Sequence, residues 1–136
     1  MRAEILSTGD EVRTGAVVDT NAAFIAETLE TIGITVARHT CVGDDLDDIA
    51  AALREIAGRS DMAVITGGLG PTADDRTAEA AALAAEVVLE EMPVALEQIE
   101  RFFNARGMAM SATNRKQALI PRGALVLENT DGTAPG

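Results

Sequence analysis

Apolar residues along this chain alternate between helical spacing and short continuous runs. The helical spacing predicts a helix that begins at Asp19 or Thr20 and ends at Gly33, followed by helices over 46–58, 76–85 and 93–107 and a short one over 114–119. The continuous runs predict strands over 3–6, 34–42, 62–65 and 124–127. Because strands and helices alternate, we expect an α/β fold with a parallel sheet covered by helices on both faces.

Two strands differ in their predicted position within this sheet. Arg38 and His39 interrupt the second run, which favours a place near an edge, whereas 62–65 is continuously apolar, as in a central strand. Ligands of parallel α/β sheets bind beyond the carboxyl ends of the strands. Three clusters follow predicted strands in this way: Ser7–Glu11, at the start of a long predicted loop that runs to Asp19, Gly43–Asp45 and Gly67–Asp75.

Composition narrows the class of protein. The chain has 136 residues, which is typical of one domain, and 47% of them are hydrophobic, enough for an ordinary core. No apolar stretch is long enough to span a membrane, and the net charge of −11 disfavours nucleic acid and anionic lipid as partners. The single cysteine, Cys41, excludes an internal disulfide, which fits the cytoplasm.

The charge is distributed unevenly. Five basic residues and no acidic residue lie between positions 101 and 122: Arg101, Arg106, Arg115, Lys116 and Arg122. This cationic segment is either the solvated face of a helix and its loop or part of an anion site. Lys116 is the only lysine of the chain, and a compact ammonium group can serve as a point charge for phosphate.

The segment V-I-T-G-G-L-G-P-T-A-D-D, Val64–Asp75, is the strongest candidate site. Gly67, Gly68 and Gly70 allow close approach of the backbone to an anion, and a helix predicted to begin near Thr72 would add the positive end of its dipole. A second interpretation is structural: Thr72-x-x-Asp75 has the spacing of a capping box.

A third interpretation is dinucleotide binding. Gly68–Ala73 matches G-x-G-x-x-A, and Glu90 and Glu91 follow about twenty residues later, as the ribose-binding acid does in that fingerprint. The match lies after the third predicted strand rather than the first, and a proline interrupts it. No lysine follows the turn, so the segment is not a P-loop.

The aspartates after the glycine turn would repel a phosphate unless a cation lies between them. Magnesium binds through one or two carboxylates together with phosphate oxygens, so we expect Mg²⁺ or another divalent cation at Asp75, Asp44 and Asp45. The alternative for Asp44 and Asp45 is a turn that caps the following helix. His39 and Cys41 lack the partners of a zinc site, and His39 lies too far inside a strand for a serine–histidine hydrolase.

Five motifs in order resemble one family. They are A-E-I-L-S-T-G-D-E, D-T-N-A-A-F-I-A, T-G-G-L-G-P-T-A-D-D, N-R-K-Q-A-L-I-P and G-T-A-P-G, and together they cover the chain. They resemble the N-terminal domain of the competence/damage-inducible protein A (CinA) family, which is similar to the molybdopterin-binding domain of molybdenum-cofactor biosynthesis proteins.

The resemblance implies a three-layer α/β/α fold with a mostly parallel sheet, a homo-oligomer and a small phosphorylated ligand. In the relatives the glycine turn holds the phosphate of a molybdopterin-like ligand and an aspartate after it is functional, which by spacing is Asp75; their acidic turn matches Asp44 and Asp45. Leu69 replaces a threonine of the relatives' T-G-G-T-G.

Some family members are linked to metal-dependent ADP-ribose pyrophosphatase activity, which would make Asp75, Asp44 and Asp45 catalytic. Gly67, Gly68, Gly70 and Thr72 would bind phosphate, with Asn114 and Lys116 as further partners. The family often carries a C-terminal amidase domain, and its domain continues beyond G-T-A-P-G, so we expect 1–136 to be one domain truncated at its C-terminus.

Overall fold

A three-stranded parallel sheet organises the first part of the chain in the computed structural model, which describes residues 1–136. Its order is β2–β1–β3, with β1 (Arg2–Thr8) between β2 (Thr35–Val42) and β3 (Met62–Thr66). Helices α1 (Asp10–Arg13), α2 (Thr20–Thr31) and α3 (Leu46–Ala57) connect and cover these strands. These elements form the compact unit Met1–Gly68, here called the first unit.

Strand β1 lies inside this unit. Every residue from Ala3 to Thr8 is buried, and because neighbouring side chains of a strand point to opposite faces, both faces of the sheet are covered. Helices α2 and α3 both contact the sheet, which gives the three layers of an α/β/α fold with a mostly parallel sheet. Asp19 caps α2 and Asp45 caps α3, each with its carboxylate.

The second unit, Leu69–Gly136, contains α4 (Thr77–Ala84), α5 (Pro93–Asn104) and a 3₁₀ helix (Ala112–Ala118). Strands β4 (Leu89–Glu91) and β5 (Leu119–Pro121) form an antiparallel pair. Ala95, Ile99, Ala118 and Ile120 form its buried core, which joins α5 to the 3₁₀ helix and β5. Pro93 begins α5, as the sequence predicts.

Several element predictions are wrong. Strand β3 is not central, since β1 occupies that place, whereas the predicted edge position of β2 is confirmed. The predicted loop from Ser7 to Asp19 contains the end of β1 and helix α1. The predicted strand 124–127 is irregular, although Leu127 exchanges two backbone hydrogen bonds with Gly136, of 2.6 and 3.0 Å. Strands β4 and β5 were not predicted.

The helix expected near Thr72 begins at Thr77 instead, so the residues after the glycines are a loop. The dipole of α4 therefore does not begin at the turn. None of the helices is long and apolar enough to cross a membrane.

Candidate functional site

The three strands of the first unit end at one edge of the sheet. Thr8 pairs with Val42 and Ser7 with Thr66 at the last positions of the two ladders. The segments that follow β1 and β2 stay together, because the Gly9 amide donates to the Val42 carbonyl at 3.1 Å. The predicted placement of the clusters at 7–11 and 43–45 is confirmed, and Gly67 follows β3 at this same edge.

A cavity of about 200 Å³ opens at this edge within the first unit. Its polar lining includes four hydroxyl side chains, one amide side chain, two carboxylates and one glycine: Ser7, Thr8, Thr20, Thr66, Asn21, Glu11, Asp19 and Gly67. Thr20 is the first residue of α2, so the positive end of a twelve-residue helix faces the cavity.

Hydrogen bonds fix these side chains in place. The Ser7 hydroxyl donates to the Asp19 carboxylate at 2.5 Å, and the other carboxylate oxygen accepts the Ala22 amide at 2.9 Å to cap α2. The Asn21 amide group donates to the Thr66 hydroxyl at 3.2 Å, which joins α2 to the end of β3. The walls of the cavity are therefore set by the fold itself.

Gly67 must be glycine for two reasons. Its φ of +98° lies in the left-handed region, and a Cβ there would overlap the carbonyl oxygen of Thr8. Gly68 follows with a φ of +65°. The backbone of this turn thus lies against the end of β1, and Gly67 itself is exposed in the cavity.

The rest of the turn belongs to the second unit and is organised by Asp75. The Asp75 carboxylate accepts the Thr72 amide at 2.9 Å and the Thr72 hydroxyl at 2.5 Å. A Cβ at Gly70 would overlap the same carboxylate, so Gly70 makes room for it. The spacing that resembled a capping box is a loop closure instead, since α4 begins only at Thr77.

The electrostatics of Asp75 keep it ionised. Burial by itself raises the pKa of the carboxyl group, but hydrogen bonds from Thr72 and Gly70 and the charge of Lys116 lower it more, so the pKa of Asp75 lies below its ordinary value.

Lys116 and Asn114 lie in the same 3₁₀ helix and support this loop differently. The Lys116 ammonium group donates to the backbone carbonyls of Thr72 and Asp75. Asn114 donates to the Gln117 side chain at 3.2 Å, and Gln117 donates to the Leu69 carbonyl at 3.2 Å. In this structure Lys116 contacts backbone oxygens, and Asn114 reaches the turn only through Gln117.

Asp44 and Asp45 lie in the first unit, whereas Asp75 lies in the second. Asp44 accepts the Asp10 amide at 3.1 Å, which anchors the start of α1. Asp45 accepts the amides of Asp47 and Asp48 at 3.0 and 3.1 Å, so its interpretation as a helix cap is confirmed. Neither unit contains a group of three or more His, Cys, Asp or Glu side chains that could hold a metal ion. The catalytic and metal-binding assignments of the three aspartates stay predictions.

Three arginines of the cationic segment are paired with glutamates that lie outside the segment. Arg101, Arg115 and Arg122 form ion pairs at 2.5–3.2 Å, and Arg106 lies 3.6 Å from the centre of the Phe102 ring. The partners are Glu128, Glu91 and Glu90, respectively. Glu90 and Glu91, the acids of the dinucleotide interpretation, are therefore engaged in the β4–β5 region, and the glycine turn does not lead directly into a helix.

Sequence reasoning missed residues that shape the site. In the first unit these are Asp19, Asn21 and Thr66, for which D-T-N at the start of α2 was the available signal. In the second unit it missed Gln117, whose neighbours Asn114 and Lys116 were recognised.

Comparison with known proteins places this chain in a family. Residues 4–130 match the family described as "Probable molybdopterin binding domain". The chain therefore belongs to the molybdopterin-binding domain family. Within it, the chain groups with the CinA-like proteins.

Three relatives illustrate the similarity. The chain is 53% identical over its whole length to a CinA-like protein of Desulfosudis oleivorans, of which it covers 33%. The crystal structure of CinA from Thermoplasma acidophilum is 38% identical, with a TM-score of 0.93 over all of this chain and 80% of that chain. The molybdopterin biosynthesis enzyme MoaB from Thermus thermophilus is 32% identical, with a TM-score of 0.57 over 82% of this chain and 69% of that chain. The chain thus spans about a third of the length of the curated relatives it matches.

Proposed function

We propose that this domain binds a small phosphorylated ligand, a nucleotide or a pterin, at the carboxyl edge of the parallel sheet of the first unit. The observation that carries the proposal is the exposed backbone of Gly67, held in a left-handed conformation on the wall of a polar cavity. Backbone in this conformation presents amide groups to an anion without a side chain in the way.

The start of α2 supports a phosphate at this place. Thr20 lines the cavity at the positive end of the helix, and the nearby Thr66 hydroxyl, which accepts from Asn21, can donate to a phosphate or sugar oxygen. Membership of the molybdopterin-binding domain family favours a pterin, and the resemblance to CinA favours a nucleotide. Oligomer formation and a further amidase domain in the whole protein stay predictions.

A divalent cation is compatible with the acidic residues of the site. Mg²⁺ is held by one or two carboxylates together with ligand phosphates and water, so it does not need a cluster of protein ligands. The proposed carboxylates are Asp44 and Asp45 within the first unit and, as a separate candidate within the second unit, Asp75. A bound ion would polarise the phosphoryl groups and lower the pKa of a bound water molecule.

The binding proposal is tested by calorimetric titration with ADP-ribose, AMP and a pterin phosphate, each with and without Mg²⁺. The informative variant is Asn21→Asp, which places a negative charge on the wall of the cavity. We expect roughly tenfold weaker binding of the preferred ligand. Asn104→Asp changes the net charge equally at an exposed residue outside the cavity lining and should bind like the wild type. Equal affinities for all three proteins would contradict this location.

The enzymatic form of the proposal is hydrolysis of ADP-ribose to AMP and ribose 5-phosphate. The matched variants are Asp75→Asn and Asp74→Asn, since both aspartates accept the Thr72 hydroxyl. We expect Asp75→Asn to abolish Mg²⁺-dependent AMP release while its circular dichroism stays unchanged, and Asp74→Asn to retain release. Equal turnover by Asp75→Asn and wild type would overturn a catalytic role for Asp75. If the wild type binds ligand without hydrolysing it, the domain is a binding module and not an enzyme.

A further inference from the structure

We infer that Gln117 is a positioning residue that couples the turn Leu69–Asp75 to the segment Leu127–Gly136, so that the turn holds Asp75 in its observed position only when this segment is in place. The inference rests on the proposed function, because that function gives Asp75 a role toward the ligand.

Gln117 contacts both segments with a single side chain. It is 7% exposed, and its amide nitrogen donates to the Leu69 carbonyl at 3.2 Å and to the Thr133 hydroxyl oxygen at 3.0 Å. Its amide oxygen accepts from Asn114 at 3.2 Å. Both amide hydrogens are thus engaged, one on each segment, and the oxygen fixes which way the amide faces.

The preceding residue secures the other end of the turn. Lys116 donates to the carbonyls of Thr72 and Asp75, whereas Gln117 holds Leu69. Two consecutive side chains of the 3₁₀ helix therefore hold the turn at both ends, and one of them also reaches the segment 127–136. Lys116 has no such second contact, so the coupling depends on Gln117.

The segment 127–136 is itself an ordered loop. Leu127 and Gly136 exchange backbone hydrogen bonds at its base, and the Asn129 side chain accepts the amides of Asp131 and Gly132 at 3.0 and 3.1 Å. This loop and Leu69 line a cavity of about 340 Å³. Leu69 and the loop line the same cavity, and Gln117 donates a hydrogen bond to each. We therefore expect a displacement of one to shift the other.

Gln98 offers a matched comparison. It is 6% exposed, and its amide nitrogen donates to the Asn129 carbonyl at 3.4 Å, so it holds the loop and not the turn. Gln98→Met and Gln117→Met remove the same buried amide group with similar change in volume. Gln117→Glu keeps the shape but replaces the donor that faces the Leu69 carbonyl with an acceptor.

The experiment measures amide hydrogen exchange and ligand affinity on the folded chain. We expect Gln117→Met to speed exchange about tenfold at Thr72 and also at Asp131 and Gly132, and Gln98→Met to do so only at the two loop positions. We also expect Gln117→Met and Gln117→Glu to bind the ligand found by the titrations about tenfold more weakly than the wild type. The affinity of Gln98→Met should stay within about twofold of the wild type.

Each outcome decides the inference. Exchange that changes only in the loop for Gln117→Met, or unchanged ligand affinity in both Gln117 variants, overturns it. If the wild type binds none of the tested ligands, the proposed function fails, and the exchange pattern alone then decides whether Gln117 couples the two segments. If Gln117→Met does not fold, the same measurements on Gln117→Glu decide.

Discussion

Gly67 shows at the scale of one residue why the turn tolerates no side chain. Its left-handed φ of +98° and its approach to the Thr8 carbonyl are separate constraints. We predict that Gly67→Ala lowers the free energy of unfolding by about 3 kcal/mol, because the conformational strain and the overlap add. Urea denaturation measures this loss.

The control for this prediction is Gly15→Ala. Gly15 has a φ of +79° but open space where its Cβ would lie. Gly15→Ala should therefore lower the free energy of unfolding only by the strain of the left-handed conformation, about 1 kcal/mol. Equal losses in the two variants would mean that the close approach to Thr8 contributes nothing.

Asp45 allows its cap to be separated from a role in metal binding. Because asparagine caps a helix as well as aspartate does, Asp45→Asn should leave the free energy of unfolding nearly unchanged, whereas Asp45→Ala should lower it by about 1 kcal/mol. Thermal unfolding without metal checks this pair. If Asp45→Asn, which keeps the cap, loses a Mg²⁺-dependent gain in ligand affinity, Asp45 has a second role. Equal destabilisation by both variants would contradict the cap.

At the scale of elements, Glu4 joins the centre of the sheet to the α3–β3 connection. The buried carboxylate of Glu4 accepts two bonds of 2.8 Å from the Arg59 guanidinium group and one of 2.7 Å from the Ser60 hydroxyl. These bonds, led by that of Arg59, outweigh the effect of burial and lower the pKa of Glu4 to about 2. Because Glu4 is buried, replacing it leaves the Arg59 guanidinium group without this charged partner. Glu4→Gln should therefore lower the free energy of unfolding by about 3 kcal/mol at neutral pH.

The pH dependence of this pair follows from the direction of the shift. A carboxyl group with a lowered pKa in the folded state stabilises the protein above its ordinary value of 4.5, and this stability is lost as the pH falls from there to about 2. We therefore expect the stability difference between wild type and Glu4→Gln to shrink over this range in acid titrations of unfolding. Glu27→Gln, at an exposed position of α2, should show no such convergence; a constant difference for Glu4→Gln would refute the linkage.

Elements with long amphipathic or capped patterns were predictable from the sequence, and those held by side-chain contacts were not. The spacing of Ile25, Leu29 and Ile32 gave α2, and the parallel sheet followed from alternation. The start of α4 was misplaced because bonds from Asp75 and Lys116 hold the residues before it in a loop, which local spacing does not reveal. Strands β4 and β5 have three residues each, too few for a periodic signal.

The location of the candidate site was predictable from local sequence patterns, but its side-chain contacts were not. Three acidic or glycine-rich clusters after apolar runs located the edge of the sheet where ligands bind. The partners of each side chain were not predictable, because they come from distant parts of the chain: Asn21 meets Thr66, and Gln117 meets Leu69.

At the scale of the whole molecule, the net charge of −11 opposes any anionic ligand. Salt screens this long-range repulsion but affects short hydrogen bonds little. We predict that ADP-ribose binds severalfold more tightly at about 150 mM than at about 10 mM KCl with Mg²⁺ held constant. Titrations with uncharged adenosine should show no such dependence, and weaker ADP-ribose binding at the higher salt concentration would indicate that a local positive field dominates.

The hydrogen bonds from Thr72 to the Asp75 carboxylate affect how tightly a ligand is held. A loop that is closed by its own hydrogen bonds has already lost its conformational entropy during folding. Association then needs little further loss of entropy in that loop, so more of the contact energy would be retained as affinity.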